Sequence, residues 1–140
     1  MQRRDVLLAL PAWLLAGTAA ANPETGVVVI AHASVPRIDA ATVARLYTGR
    51  AIEAGGIVVQ VFNLEPGTPQ RQRFLANFLQ TDEERYRAYW TVRRHIGKGV
   101  PPRELASQAE MIELVNRMPG AVGYCDAAAL KPGMNVICRV

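Results

Sequence analysis

The sequence is short of the residue types that announce chemistry. Two cysteines, two histidines and two tryptophans occur in 140 residues. There is no Gly-x-Ser-x-Gly elbow, no His-Glu-x-x-His pair and no phosphate-binding loop ending in Gly-Lys, which removes the familiar hydrolase, zinc-protease and nucleotide-hydrolysing devices. Neither cysteine has an evident histidine partner, and their spacing is not Cys-x-x-Cys, so a thiol nucleophile or redox pair is not indicated. A metal site would require His32 and His95 to meet Asp126 or a cysteine, and no ligand spacing supports that. The residues therefore describe a protein that is not an enzyme and needs no cofactor.

Charge of one sign is also scarce. The formal balance is +4, too modest to demand nucleic acid as a partner. Arg85, Arg87, Arg93, Arg94 and Lys98 are interleaved with Tyr86, Tyr89 and Trp90, a pattern that reads as a solvated face over a buried aromatic stripe.

No apolar run is long enough to cross a bilayer, which takes roughly 20 residues. Val6 to Ala16 is shorter and carries Pro11. With Gln2-Arg3-Arg4-Asp5 before it and Ala19-Ala20-Ala21 after it, this stretch reads as an export signal spanning residues 1–21, cut after Ala21. Paired Arg3 and Arg4 leave both the general secretory and the twin-arginine routes open. The expected product, residues 22–140, is one exported, periplasmic or similar domain with no stable membrane insertion. In an oxidising compartment Cys125 and Cys138 become a candidate disulfide, worth roughly 3 kcal/mol if geometry permits. The alternative is a pair of buried thiols on neighbouring strands.

What is present is alternation. Val27-Val28-Val29-Ile30-Ala31 is a continuous β-branched run, as in a strand covered on both faces. Asp39 caps a first helix, with Val43, Leu46 and Tyr47 on one face and Gly49 as its stop. Ile57 to Phe62 reads as a second buried strand. Phe74, Leu75, Phe78 and Leu79 stripe a second helix, and Asp82 to His95 forms a third. Loop signals follow at Gly97, Gly99, Pro101 and Pro102. Ser107 with Glu110 opens a fourth helix with a capping-box pattern, ended by Pro119-Gly120. Ala121 to Cys125 and Asn135 to Val140 are the last strands. The order predicts an α/β domain with helices on both faces of a mostly parallel sheet.

Between the second strand and second helix lies Leu64-Glu65-Pro66-Gly67-Thr68-Pro69-Gln70-Arg71. Thr68 suits the N-cap, Pro69 the first helical position, and Gly67 the sharp turn before them. Such a helix start presents free N–H groups and partial positive charge, so it also suits an anion. Arg71 lies one turn in, where it reaches back over the start; Pro69 removes one donor. His32, after the first strand, is a candidate to line the same surface. Asn63 and Glu65 are placed to bond either loop backbone or ligand.

The sequence of these segments resembles the phosphate ABC-transporter substrate-binding proteins. The residues that carry the likeness are Ile38-Asp39 with Val43, Leu46-Tyr47 and Gly49-Arg50; Gly67-Thr68-Pro69-Gln70-Arg71 with Phe74; Trp90 with the Gly97 to Pro102 stretch; and Pro119-Gly120-Ala121-Val122-Gly123-Tyr124. The resemblance runs over residues 27 to 138. It implies a type II periplasmic binding protein-like fold and phosphate, or another small oxyanion, held at Gly67, Thr68 and Arg71, with His32 nearby. Family members have two lobes, and this chain has length for about one. The turn reads Pro-Gly-Thr-Pro where the family has Ser-Gly-Thr, so one hydroxyl and one backbone donor are missing. The expected function is an exported oxyanion-binding module. The alternative is an envelope interaction protein that keeps the fold, has lost the ligand, and docks a transporter, receptor or sensor.

Overall fold

The computed structural model describes residues 26–140. The expected export signal, residues 1–21, lies outside the described residues. Among them no helix is long and apolar enough to cross a membrane.

The chain runs β1 (Val27–Ala31), α1 (Ala40–Tyr47), β2 (Glu53–Ala54), β3 (Ile57–Val58), β4 (Gln60–Leu64), α2 (Pro69–Phe78), α3 (Glu83–His95), β5 (Arg103–Leu105), α4 (Gln108–Arg117), β6 (Ala121–Asp126), a 3-10 turn (Ala127–Ala129) and β7 (Asn135–Cys138). Five strands form one sheet in the order β5-β4-β6-β1-β7, and β2 pairs with β3 as a separate hairpin. β4 runs parallel to β5 and to β6, whereas β1 is antiparallel to both β6 and β7. Four strands thus share one direction and β1 opposes them from within the sheet.

Alternation along β6 sorts the two layers. Gly123 lies against Met111 and Val115 of α4 on one face, leaving no room for a side chain. Tyr124 points to the other face, where its ring stacks flat on Phe74 of α2 at 4.1 Å between centroids, and Tyr47 of α1 meets Phe74 edge-on at 4.6 Å. Helices therefore cover both faces, and the core closes between Val27 and Cys138.

Four N-caps form as their side chains dictate. Asp39, Thr68, Asp82 and Ser107 each accept from the backbone N–H three residues on. Glu110 does not close the expected box on Ser107 N–H but reaches one residue further back and accepts from Ala106 N–H.

Three sequence expectations change. Ile57-Val58 is exposed and belongs to the hairpin, and the buried strand begins at Gln60, after Val59 breaks the pattern. β5 was hidden because Arg103 and Glu104 are exposed edge residues behind two prolines. The disulfide does not form: Cys125 and Cys138 are free, buried thiols. β6 and β7 flank β1 on opposite sides, so about two strand spacings, roughly 10 Å, separate them, beyond the 7 Å limit for a bridge. Cys125 faces Val28 and Cys138 faces Val29, successive residues whose side chains leave opposite faces. Burial pushes the Cys125 thiol up to about 11.

Candidate functional site

Because β4, β5 and β6 are parallel, their C-terminal ends share one edge of the sheet, and the chain leaving each end starts α2, α4 or the 3-10 turn. Helix starts therefore gather there, with their unpaired N–H groups. A crevice of about 690 Å³, open to solvent, lies between them, lined by Thr68, Gln70, Ser107, Gln108, Ala109 and Lys131 among others. Asp126, at the end of β6, clasps its two walls. Gln70 Nε2 donates to Asp126 Oδ2 at 2.9 Å, and Asp126 N–H donates to Gln108 Oε1 at 2.6 Å. Arg73 Nη1 reaches Asp126 Oδ1 at 2.6 Å.

The helix start at Gly67-Thr68-Pro69 forms as expected, with Gly67 at φ +96, a left-handed conformation that explains the glycine. Its hydroxyl is already occupied. Thr68 Oγ1 donates to Glu65 O at 3.0 Å and accepts from Arg71 N–H at 3.3 Å. The donors left for a ligand are the first-turn N–H groups of Gln70, Gln108 and Ala109, the Ser107 hydroxyl and Lys131, which makes no ion pair among the described residues. Of these, Ser107, Gln108 and Lys131 escape motif reading, since only the fold brings the start of α4 beside that of α2.

Arg71 does not reach the crevice. It is buried at 3% exposure, with Nε and Nη2 on the two Glu83 carboxylate oxygens at 2.7 and 2.8 Å and Nη1 on Glu104 Oε2 and Leu64 O at 2.8 and 2.9 Å. Burial works against its charge, and the bonds to Glu83 and Glu104 outweigh that, so its pKa lies above the ordinary value. Two internal carboxylates thus occupy the guanidinium that an oxyanion would use. The residue pins α2 to α3 and to the sheet edge.

His32 lies at the far end of the sheet. β1 is antiparallel, so Val27 sits beside Asp126 while Ala31 sits beside Val122, and His32 N–H bonds Ala121 O at 2.9 Å. Its Nδ1 accepts from Ser34 N–H at 3.1 Å, closing its own turn. The expectation that it shares a surface with Thr68 rested on a parallel first strand and is corrected here.

Asn63 and Tyr124 likewise do not line the crevice. Asn63 is buried; its Oδ1 accepts from the Tyr124 hydroxyl and its Nδ2 donates to Tyr86 Oη at 3.3 Å. Tyr86 Oη donates to Tyr47 O at 2.8 Å, and Tyr47 Oη donates to Phe62 O at 2.7 Å. Burial raises all three tyrosine pKa values, that of Tyr86 to about 12. Among the described residues no group of three or more His, Cys, Asp or Glu is placed to hold a metal.

No family model matches the chain, and no curated protein matches its sequence. Solved structures do. An ABC-type phosphate transport receptor from Vibrio cholerae aligns at 16% identity and a TM-score of 0.60, over 80% of this chain and 45% of that one. A protein described as a phosphate ABC transporter substrate-binding protein, with bound phosphate, from Clostridium perfringens aligns at 15% identity and 0.62, over 80% and 44%. The likeness is one of fold. The chain has the mixed α/β architecture of a single lobe of the type II periplasmic binding proteins and spans less than half the length of either neighbour.

Proposed function

We propose that this chain is an exported, non-enzymatic binding module in which the crevice between α2 and α4 takes a small oxyanion of the phosphate class. The observation that carries the reading is the convergence on one crevice of two capped helix starts and Lys131, which makes no ion pair among the described residues. The free N–H groups of Gln70, Gln108 and Ala109 and an ammonium favour negative charge there. Gly67 and Thr68 shape the wall, Arg71 braces it from behind, and His32 takes no part.

The crevice is open, and the Asp126 carboxylate bonded to Gln70 adds a negative charge beside it, so one lobe holds a dehydrated anion weakly. A second wall, from another protein or another copy of the chain, completes the site. Cleavage after Ala21 delivers residues 22–140 to the periplasm or an equivalent exported space, where such a partner would be met.

The test is thermal denaturation of residues 22–140 against phosphate, sulfate, arsenate and phosphonates at constant ionic strength. A ligand at ten times its dissociation constant adds about 1.4 kcal/mol, several degrees in a domain this size. The reading expects a selective rise with one oxyanion, reduced by Lys131→Gln and Ser107→Ala. No selective rise at tens of millimolar removes the ligand.

One observation favours a second reading, that of a docking protein without solute. Glu83 and Glu104 already neutralise Arg71. That reading expects indifference to every anion together with capture of an envelope transporter or sensor in pull-downs, and an empty pull-down counts against it.

A further inference from the structure

The end of the domain opposite the crevice carries a second feature. α1 and α3 both finish there, stitched by Arg93, whose Nη2 donates to Gly49 O and Lys98 O at 3.2 Å each. Between them and the starts of β4 and β5 lies a groove of about 390 Å³ lined by Leu46, Ile52, Val61, Trp90, Val100 and Pro101, among others. Its lip is unusually apolar. Of the groove's own residues Ile52 is 68% exposed and Val100 70%, and on the adjoining hairpin strand Val58 is 65% exposed.

Cations surround these side chains. Arg50, Arg94, Lys98 and Arg103 form no ion pair among the described residues, and Arg103 lines the groove itself. Helix dipoles account for Arg94, which sits in the last turn of α3. They do not account for Arg50, Lys98 and Arg103, which lie beyond the helices, nor for apolar tips among them. The tips are carried on a hairpin and on the short Gly97–Val100 loop, whose two glycines have φ +76 and +116. Single exposed apolar residues are ordinary, but a cluster of them ringed by unpaired cations has a definite complement.

We propose that this end docks on an anionic phospholipid bilayer. Ile52, Val58, Val100 and their neighbours enter the headgroup boundary while the arginines and Lys98 meet lipid phosphates, the arrangement that holds interfacial proteins. Docking this way points the Thr68 and Ser107 crevice away from the membrane, since the two features occupy opposite edges of the sheet. The proposal is independent of whether that crevice binds an anion.

The experiment is vesicle flotation of residues 22–140, which contain every described element of the fold. Vesicles of phosphatidylcholine alone are compared with vesicles holding about 40 mol% phosphatidylglycerol, at low and high salt. The expected result is flotation with the anionic vesicles alone, released by salt. It should fall about fivefold or more in Ile52→Ser/Val100→Ser and in Arg94→Gln/Lys98→Gln, with unchanged circular dichroism because all four positions are exposed. No flotation, equal flotation with both vesicles, or either double variant floating like the parent overturns the proposal.

Discussion

Arg71 and Glu83 face each other in a two-pronged ion pair, Nε to Oε1 at 2.7 Å and Nη2 to Oε2 at 2.8 Å, on adjacent helices and with the guanidinium buried. The consequence is a division of labour within one helix turn. Thr68 shapes the start of α2, and Arg71, three residues on, belongs to the core of the fold.

Arg71→Ala should therefore cost stability. Breaking a buried pair typically costs 3–5 kcal/mol, and because Glu83 and Glu104 can regain water the loss here should be nearer about 2–3 kcal/mol. Arg71→Lys should recover little, since an ammonium cannot serve two carboxylates and a carbonyl in a fixed fork. Urea unfolding midpoints measure both. An Arg71→Ala variant as stable as the parent would return the residue to the list of ligand contacts.

Alkaline pH should destabilise the domain in a defined window. Tyr86 has its folded pKa raised by burial from 10.0 to about 12, and Cys125 from 9.0 to about 11. The protonated form is favoured when folded, so this stability is whole below the unfolded pKa and is lost as pH rises through the folded one. Stability should begin to fall near pH 9 and keep falling to pH 12, by about 2–3 kcal/mol for a group shifted two units. Tyr86→Phe should flatten the part above pH 10, as read by denaturant titrations at stepped pH.

Two free thiols should remain after oxidising purification. Alkylation in denaturant, followed by mass measurement, should add two labels with or without prior reduction, and dithiothreitol should leave the melting temperature unchanged. Under native conditions Cys125 should react slowly, being buried with a raised pKa.

Gly123→Ala should loosen α4. An added Cβ would lie 2.3 Å from Met111 Sδ and 3.1 Å from Val115 Cγ2, so the helix or its methionine must move. Overpacking of this kind costs roughly 1–3 kcal/mol, and Met111→Ala in the same chain should return part of it.

The Gly123 contact shows what kind of information the sequence held. Val43, Leu46 and Tyr47, the caps Asp39, Thr68 and Ser107, and the stripe of Phe74, Leu75 and Phe78 were legible because each rests on a local period or a local hydrogen bond. The direction of β1 was not, because a fully buried strand carries the same apolar run whichever way it points. That unknown moved His32 to the wrong edge, and the place of β1 between β6 and β7, equally absent from local pattern, is what keeps Cys125 and Cys138 apart. Arg71 failed for a similar reason. Its partners, Glu83 and Glu104, lie 12 and 33 residues away, and nothing in the helix start announces them. Ser107 and Lys131 enter the crevice only through the parallel pairing of β4 with β5 and β6.

The most direct test of the central claim is a phosphate titration of residues 22–140 followed residue by residue through backbone amide resonances. The account predicts saturable shifts centred on Gln70, Gln108 and Ala109 and extending to Lys131, with Arg71 and His32 little changed. Shifts centred on His32 or on the Arg71 side chain, or no saturable shift at all, would contradict it.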